Sequence, residues 1–177
     1  MSGARRDRRV FRHATRMSVF VVSLLVAPAP ALAQQLVIAV RHAERADGGS
    51  MSSTAETDPK LSAAGEARAA RLAAMLADAG ITAVYATEYR RTQDTARPIA
   101  ERLGVKVRIH KAQDSIGLAA VLKAAHPKEI VLVVGHSNTL PQVIKALGGP
   151  ALTIPDSEYD TIYFFVPATG TLSKIRY

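Results

Sequence analysis

Residues 130–134 read IVLVV, a run of five branched aliphatic side chains with no polar residue among them. A second apolar run, LVIAV, spans residues 36–40. Short runs that are apolar at every position are typical of strands covered on both faces of a parallel sheet. These two runs therefore predict the centre of a buried sheet.

The rest of the chain alternates between helix and strand patterns. An Ala-rich segment, Ser62–Ala79, predicts a helix that stops before Gly80, and a polar segment, Asp47–Pro59, predicts a loop. Pro98 is expected to kink or interrupt the second helix. The other predicted elements are strands at 83–86, 105–109, 161–166 and 172–176 and helices at 91–103, 116–125 and 140–147. This order predicts an α/β protein, a three-layer sandwich with a mostly parallel mixed sheet.

Composition restricts the classes of protein that are compatible with the chain. With 177 residues, 48% of them hydrophobic, the chain can form one ordinary domain with a core and is not disordered. The formal net charge of +8 comes mostly from residues 1–33, which hold six Arg and one Asp. The remaining segment has 17 basic and 14 acidic residues, so a nucleic-acid partner is not expected. The lack of Cys excludes disulfides and thiolate metal sites.

Residues 1–33 have the pattern of an export signal. An Arg-rich start precedes the apolar run Met17–Ala27, and Ala31-Leu32-Ala33 fits the small-x-small cleavage pattern. The apolar run is too short to span a bilayer comfortably. We therefore expect cleavage after Ala33, a mature domain at 34–177 without stable membrane insertion, and a periplasmic or secreted location. Arg8-Arg9 matches the twin-arginine export pattern in part, so the sequence leaves the export route open.

The residues that follow the predicted strands carry the chemistry. Arg41 and His42 follow the first strand, Arg91 follows the second, and His136 follows the strand at 130–134. Parallel strands present their carboxyl ends at one edge of a sheet, where ligands bind. Arg side chains match phosphate oxygens, and a neutral imidazole is a nucleophile that nearby arginines keep unprotonated. The pattern predicts phosphoryl transfer through a phosphohistidine, with neither metal nor other cofactor.

Four segments, in order, resemble the histidine phosphatase superfamily, which includes phosphoglycerate mutases and acid phosphatases. They are Val40–Glu44 for its Arg-His-Gly signature, Leu61–Gly65 for its Leu-Ser/Thr-x-x-Gly segment, Arg91–Ala96 for its Arg-Ala-x-x-Thr-Ala segment, and Val134–His136 for its second histidine. The resemblance implies a phosphoglycerate mutase-like fold. It also implies that His42 is the nucleophile, that Arg41 and Arg91 grip the phosphate, and that His136 completes the phosphate site.

The sequence departs from the family pattern at three places. Ala43 replaces the usual Gly after the nucleophile, and Gly48 stands where phosphoglycerate mutases usually carry Asn. Ser137 follows the second histidine, where the acid phosphatase branch often has an Asp proton donor. The missing Asn argues against a phosphoglycerate mutase, and the missing Asp leaves the identity of the proton donor open.

Three acidic residues lie near predicted strand ends and are candidates for the proton donor. Asp114 ranks first because, of the four acids Asp94, Glu101, Asp114 and Glu129, it alone lies beyond a strand's carboxyl end. Glu44 and Glu88 follow other strands and are the alternatives. Glu44 and Ser137 are also expected to contact the substrate.

Taken together, the sequence predicts an exported phosphatase that hydrolyses small phosphomonoesters through a phosphohistidine at His42. Its leader favours a cell-envelope phosphosugar or a scavenged phosphomonoester as substrate. Two alternatives stay open at this point: a phosphoglycerate mutase-type phosphotransferase, and a non-catalytic module that binds phosphate or a phosphosugar.

Overall fold

The computed structural model describes residues 35–48 and 58–177. The predicted export signal at 1–33 lies outside these residues, as does most of the polar segment 47–59. Within the residues described, no helix is both long and apolar enough to cross a membrane.

Six strands form one mixed sheet. They are β1 (Leu36–Arg41), β2 (Ile81–Thr87), β3 (Val107–His110), β4 (Ile130–Gly135), β5 (Thr161–Val166) and β6 (Thr171–Arg176). Their order across the sheet is β3-β2-β4-β1-β5-β6. The first four strands in this order are mutually parallel, and β5 and β6 are antiparallel to their neighbours. The two apolar runs that predicted the sheet, β1 and β4, lie side by side at its centre.

Four helices cover the two faces of the sheet: α1 (Ala63–Met75), α2 (Arg90–Leu103), α3 (Ser115–Ala125) and α4 (Thr139–Ala146). Ile38 and Val40 of β1 pack into a core with α1 and α2. The alternate residues, Val37 and Ala39, pack into a second core with α3 and α4. Side chains of a strand point alternately to its two faces, so each central strand contributes to both cores. The predicted three-layer α/β sandwich is confirmed.

The first two helices differ from the prediction in ways that affect the fold. The first helix ends at Met75 rather than Ala79, and a turn leads to Gly80, whose φ is +69°. The second helix continues through Pro98 to Leu103, so Pro98 does not interrupt it. Burial of Thr95, Ala96 and Ile99 on the inner face of α2 offsets the backbone hydrogen bond that a proline removes.

The pairing of β1 with β4 brings two distant segments together. Arg41 lies opposite Gly135 in this parallel pair. The pairing extends one step further, because the backbone N–H of His42 donates to the Gly135 carbonyl at 2.9 Å. The residue after each strand is a histidine, so His42 and His136 emerge at the same edge of the sheet.

Candidate active site

A cavity of about 1020 Å³ opens at the carboxyl ends of β1, β2 and β4. Five of the predicted site residues line it: Arg41, His42, Arg91, His136 and Ser137. The other residues that line it are Arg45, Gly48, Tyr89, Ala112, Gln113, Asn138, Thr139, Gln142, Asp156 and Tyr159. Asp114 and Glu44 are not among the residues that line this cavity.

His42 is held as a neutral imidazole with one nitrogen free. Its Nδ1 lies 2.8 Å from the Ala43 carbonyl oxygen, which can only accept a hydrogen bond, so Nδ1 carries the proton. The lone pair is therefore on Nε2. Burial lowers the pKa of His42 to about 3, assisted by the positive charges of Arg41 and Arg91, although the bond to Ala43 acts in the opposite direction. A histidine in this state is a competent nucleophile at neutral pH.

His136 is the second buried histidine at this edge. Its ring centroid lies 5.3 Å from that of His42, with the two rings inclined at 64°. Its Nε2 is 3.0 Å from the Thr87 hydroxyl at the end of β2. Burial lowers the pKa of His136 to about 3, and His42 and the two arginines Arg91 and Arg41 act in the same direction.

Arg41 is anchored by the loop that precedes β5. Its Nη1 donates to the carbonyl oxygens of Pro155 at 3.2 Å and Asp156 at 2.5 Å. Its guanidinium carbon stacks 4.1 Å from the ring centroid of Tyr159. Arg41 is 8% exposed, and its buried Nε has no hydrogen-bond partner among the described residues. The loop thus fixes a positive charge beside His42.

Arg91 approaches the site from the first turn of α2. Its Nη2 lies 3.5 Å from Nδ1 of His136, and its guanidinium stacks 4.4 Å from the ring centroid of Tyr89. Asp58 lies 3.6 Å from Nη1. The neighbouring Arg90 points away, since its side chain is 54% exposed and pairs with Asp94. Of the two adjacent arginines, Arg91 lines the cavity, as the family register implies.

Two buried contacts fix the turn that follows the nucleophile. The hydroxyl of Thr95 accepts from the Ala43 N–H at 2.9 Å and donates to the Arg91 carbonyl at 2.7 Å. It therefore joins the His42 turn to the helix that carries Arg91. On the other side, a Cβ at Gly65 would lie 2.3 Å from the Glu44 carbonyl oxygen, so only glycine permits α1 to approach this closely.

Ser137 and Asp156 form a polar pair at the rim of the cavity. The Ser137 hydroxyl donates to Oδ1 of Asp156 at 2.6 Å, and the same oxygen lies 3.8 Å from Nη2 of Arg41. The Asp156 side chain is 89% exposed, so it can exchange protons with water. Among the described residues that line the cavity, Asp156 is the one carboxylate.

The structure does not bring the three predicted proton donors to the cavity. Asp114 caps α3 by accepting from the Gly117 N–H at 2.9 Å. Glu44 binds Arg68 of α1 through both carboxylate oxygens, and this contact lowers the pKa of Glu44 and keeps it ionised. Glu88 accepts from the backbone N–H of Ala112 at 2.7 Å. Each carboxylate binds a partner elsewhere, and none of the three lines the cavity.

Sequence reasoning missed Asp156, Tyr159 and Tyr89. Asp156 and Tyr159 belong to a loop before β5, a strand that runs antiparallel to β1. An antiparallel strand begins where its parallel neighbours end, so the residues before it reach the same edge as those after β1. This relation would have pointed to the loop before β5 if the last two predicted strands had been assigned as antiparallel. Tyr89 lies between β2 and Arg91, where it lines the cavity and stacks on the Arg91 guanidinium.

The described residues contain no group of three or more His, Cys, Asp or Glu side chains that could hold a metal ion. The groups that converge in the cavity are instead two neutral histidines and the guanidiniums of Arg41 and Arg91. Fixed donors and cations of this kind suit an anion with several oxygens.

Fold and site together define an α/β protein that gathers two histidines and two arginines at one edge of its sheet. Residues 37–118 match the model of the histidine phosphatase superfamily (branch 1). The matched segment, which carries His42 and Arg91, is a domain segment of this superfamily. Among curated proteins, no match was found.

Solved structures share the fold at low sequence identity. A putative α-ribazole-5′-P phosphatase from Escherichia coli has a TM-score of 0.63 at 16% identity, over 81% of this chain and 95% of that chain. A phosphoserine phosphatase from Entamoeba histolytica, in complex with 3-phosphoglyceric acid, has a TM-score of 0.59 at 15% identity, over 80% and 95%. A mycobacterial glucosyl-3-phosphoglycerate phosphatase in complex with VO₃ has a TM-score of 0.58 at 16% identity, over 73% and 91%. These likenesses establish the phosphoglycerate mutase-like fold.

Proposed function

We propose that the protein is a metal-independent phosphatase that hydrolyses small phosphomonoesters through a covalent phosphohistidine at His42. The observation that carries this proposal is the state of His42, a buried neutral imidazole whose Nδ1 proton is bound to the Ala43 carbonyl and whose Nε2 is free. The match of residues 37–118 to the histidine phosphatase superfamily supports phosphatase activity.

In the first step, the Nε2 lone pair of His42 attacks phosphorus and the bond between phosphorus and the ester oxygen breaks. The positive charges of Arg91 and Arg41 lie near His42 and balance the negative charge of the phosphoryl oxygens. In the second step, water attacks the phosphohistidine, the P–N bond breaks, and inorganic phosphate is released. The imidazole returns to its neutral state with its proton still on Nδ1.

The leaving alkoxide needs a proton, and Asp156 is the residue we assign to supply it. Its carboxyl is at the rim of the cavity, where the leaving group of a substrate bound at His42 would extend. Ser137 orients the carboxyl through its 2.6 Å hydrogen bond. Loss of the Asp156 proton leaves a carboxylate, and the water that attacks the phosphohistidine in the second step returns a proton to it.

Asp156→Asn should lower the turnover of alkyl phosphates by on the order of 10²–10⁴-fold, the usual contribution of a general acid. Hydrolysis of p-nitrophenyl phosphate should fall far less, because nitrophenolate leaves without a proton. Steady-state kinetics with both substrates measure this contrast. Asp114→Asn is the matched control and should leave both rates close to those of the unmodified protein; if Asp114→Asn alone gives the contrast, the donor is Asp114.

The proposed activity is tested most directly with p-nitrophenyl phosphate and a panel of phosphomonoesters. We expect turnover in excess EDTA, because neither proposed step uses a metal ion, and inhibition by vanadate, which mimics a five-coordinate phosphoryl group. Continuous assays of nitrophenolate and phosphate release provide the measurement. Loss of activity on chelation, with recovery on addition of a divalent ion, would contradict the metal-free mechanism.

We further propose that the protein acts outside the cytoplasm after removal of residues 1–33. The support is the Arg-rich start, the short apolar run and the Ala31-Leu32-Ala33 pattern of the sequence. The expected product is a chain that begins at Gln34 in the cell-envelope or secreted fraction, identified by mass spectrometry. A full-length chain confined to the cytosol would refute the proposal. An envelope location favours a phosphosugar or a scavenged phosphomonoester as substrate.

A further inference from the structure

A chain of hydroxyl groups runs from His136 into the protein. Nε2 of His136 lies 3.0 Å from the Thr87 hydroxyl oxygen, which lies 2.8 Å from that of Thr92. The Thr92 hydroxyl is 2.7 Å from the Tyr89 carbonyl oxygen. Thr87 is 7% exposed and Thr92 is fully buried. Water therefore has little access to this chain, and its members must satisfy one another.

The groups at the two ends of the chain indicate the direction of its hydrogen bonds. The Tyr89 and Thr87 carbonyl oxygens lie 2.7 and 3.1 Å from the Thr92 hydroxyl and can only accept, so we assign the Thr92 proton to them and the Thr92 oxygen as the acceptor of the Thr87 hydroxyl proton. Thr87 has then used its proton, and its oxygen can only accept from Nε2 of His136. At the other side of the ring, Arg91 can only donate, and its Nη2 lies 3.5 Å from Nδ1. The contacts on both sides of the His136 ring therefore indicate a proton on Nε2 and a lone pair on Nδ1.

We propose that Thr87 and Thr92 are positioning residues that fix the tautomer of His136, so that its unprotonated Nδ1 faces the phosphoryl site. Thr95 has no part in this chain, since its hydroxyl binds the Ala43 N–H and the Arg91 carbonyl. The buried position of His136, which lowers its pKa, is compatible with a neutral ring held in one tautomer.

The tautomer matters for the proposed phosphatase reaction, on which this part of the inference rests. A phosphomonoester has a second pKa near 6, so a monoanion with one P–OH group is present at neutral pH. An unprotonated Nδ1 can accept a hydrogen bond from that P–OH group while the ring stays neutral and its Nε2 donates to Thr87. The opposite tautomer would direct an N–H at Arg91 and could not accept this hydrogen bond.

The test is ¹⁵N NMR of the histidine rings at neutral pH, with the His136 signals identified by their loss in His136→Gln. The unmodified protein should show a protonated Nε2 and an unprotonated Nδ1. In Thr92→Val, Thr87 loses its acceptor and is free to donate to Nε2, so the proton should move to Nδ1. The value of kcat/KM should fall about 10-fold to 100-fold, as when a hydrogen-bond partner that orients a functional histidine is removed. Thr92→Ser should restore both the tautomer and the rate.

Thr82→Val is the matched control, because Thr82 is an exposed residue of the same strand whose hydroxyl binds Glu129. It should change neither the His136 tautomer nor kcat/KM. A proton found on Nδ1 in the unmodified protein would overturn the proposal, and this measurement needs no variant to fold. An unchanged tautomer in a folded Thr92→Val protein, with native His42 signals, would also overturn it. The NMR result does not depend on turnover, so a protein without phosphatase activity would refute the proposed function and leave the tautomer assignment to be decided separately.

Discussion

His42→Ala should reduce the turnover of every phosphomonoester by on the order of 10⁴-fold or more, because the covalent path has no second nucleophile in place. His136 is within 5.3 Å between ring centroids, but its Nε2 is bound to Thr87 and its Nδ1 faces Arg91. In the proposed arrangement its Nδ1 contacts a phosphoryl oxygen rather than phosphorus, so it is not aligned to attack in place of His42. Rapid quenching in base should trap a phosphoenzyme in the unmodified protein, since the P–N bond is labile in acid, and the phosphate should map to His42.

His110→Ala is the matched control for this experiment. The His110 ring bonds to the Asp114 carbonyl at 2.8 Å and does not line the main cavity. This variant should keep its turnover and its trapped phosphate. Retention of most activity by His42→Ala, or phosphate trapped on another residue of the unmodified protein, would refute the assignment of the nucleophile.

The order and type of the elements could be predicted because the sheet of this protein is buried on both faces. Strands such as β1 and β4 then have no polar alternation, and their apolar runs are easily recognised. Because parallel strands present their carboxyl ends at one edge of a sheet, His42 and His136 could be predicted as neighbours although they are far apart in sequence. The short distance between them depends only on the pairing of β1 with β4, which can be predicted without knowing how individual side chains pack.

The proton donor could not be predicted in the same way, because lying beyond a strand's carboxyl end is only a necessary condition. Asp114 meets that condition, yet it directly precedes α3 and its carboxylate caps that helix. Asp is among the preferred residues at helix N-caps, and this local role was the signal available in the sequence. Glu44 binds Arg68 of α1 instead of facing the cavity, and no motif in the sequence indicates this pairing.

The hydroxyl chain behind His136 illustrates a different limit. Thr92 stands where the family segment reads Ala, and the sequence gives no reason to connect it with His136. The connection arises because Thr87 ends β2, the neighbour of β4, and because the first turn of α2 folds back over that end. Contacts of this kind depend on side-chain rotamers across three elements, which neither periodicity nor motif spacing specifies.

Arg91→Ala should lower kcat/KM by on the order of 10²–10³-fold, whereas Arg90→Ala should change it by less than about threefold. The two residues are adjacent, carry the same charge and belong to the same helical turn. Comparison of the two variants therefore distinguishes a specific role of Arg91 from a general effect of net charge. Arg91 is 14% exposed, lies 3.5 Å from His136 and lines the cavity. Loss of one fixed donor to a developing phosphoryl charge typically has an effect of this size.

Arg91→Lys tests the shape of the side chain separately from its charge, because it keeps the positive charge and removes the planar guanidinium. Lysine cannot stack on Tyr89 as the guanidinium does at 4.4 Å, and it cannot bind two phosphoryl oxygens side by side. We therefore expect Arg91→Lys to recover only part of the loss, and inorganic phosphate to inhibit it more weakly than it inhibits the unmodified protein. Steady-state kinetics and phosphate inhibition constants measure both effects. Of the two arginines, only Arg91 lies beside His136. Equal losses of kcat/KM in Arg90→Ala and Arg91→Ala would therefore contradict a specific phosphate ligand and would show that α2 contributes general positive charge.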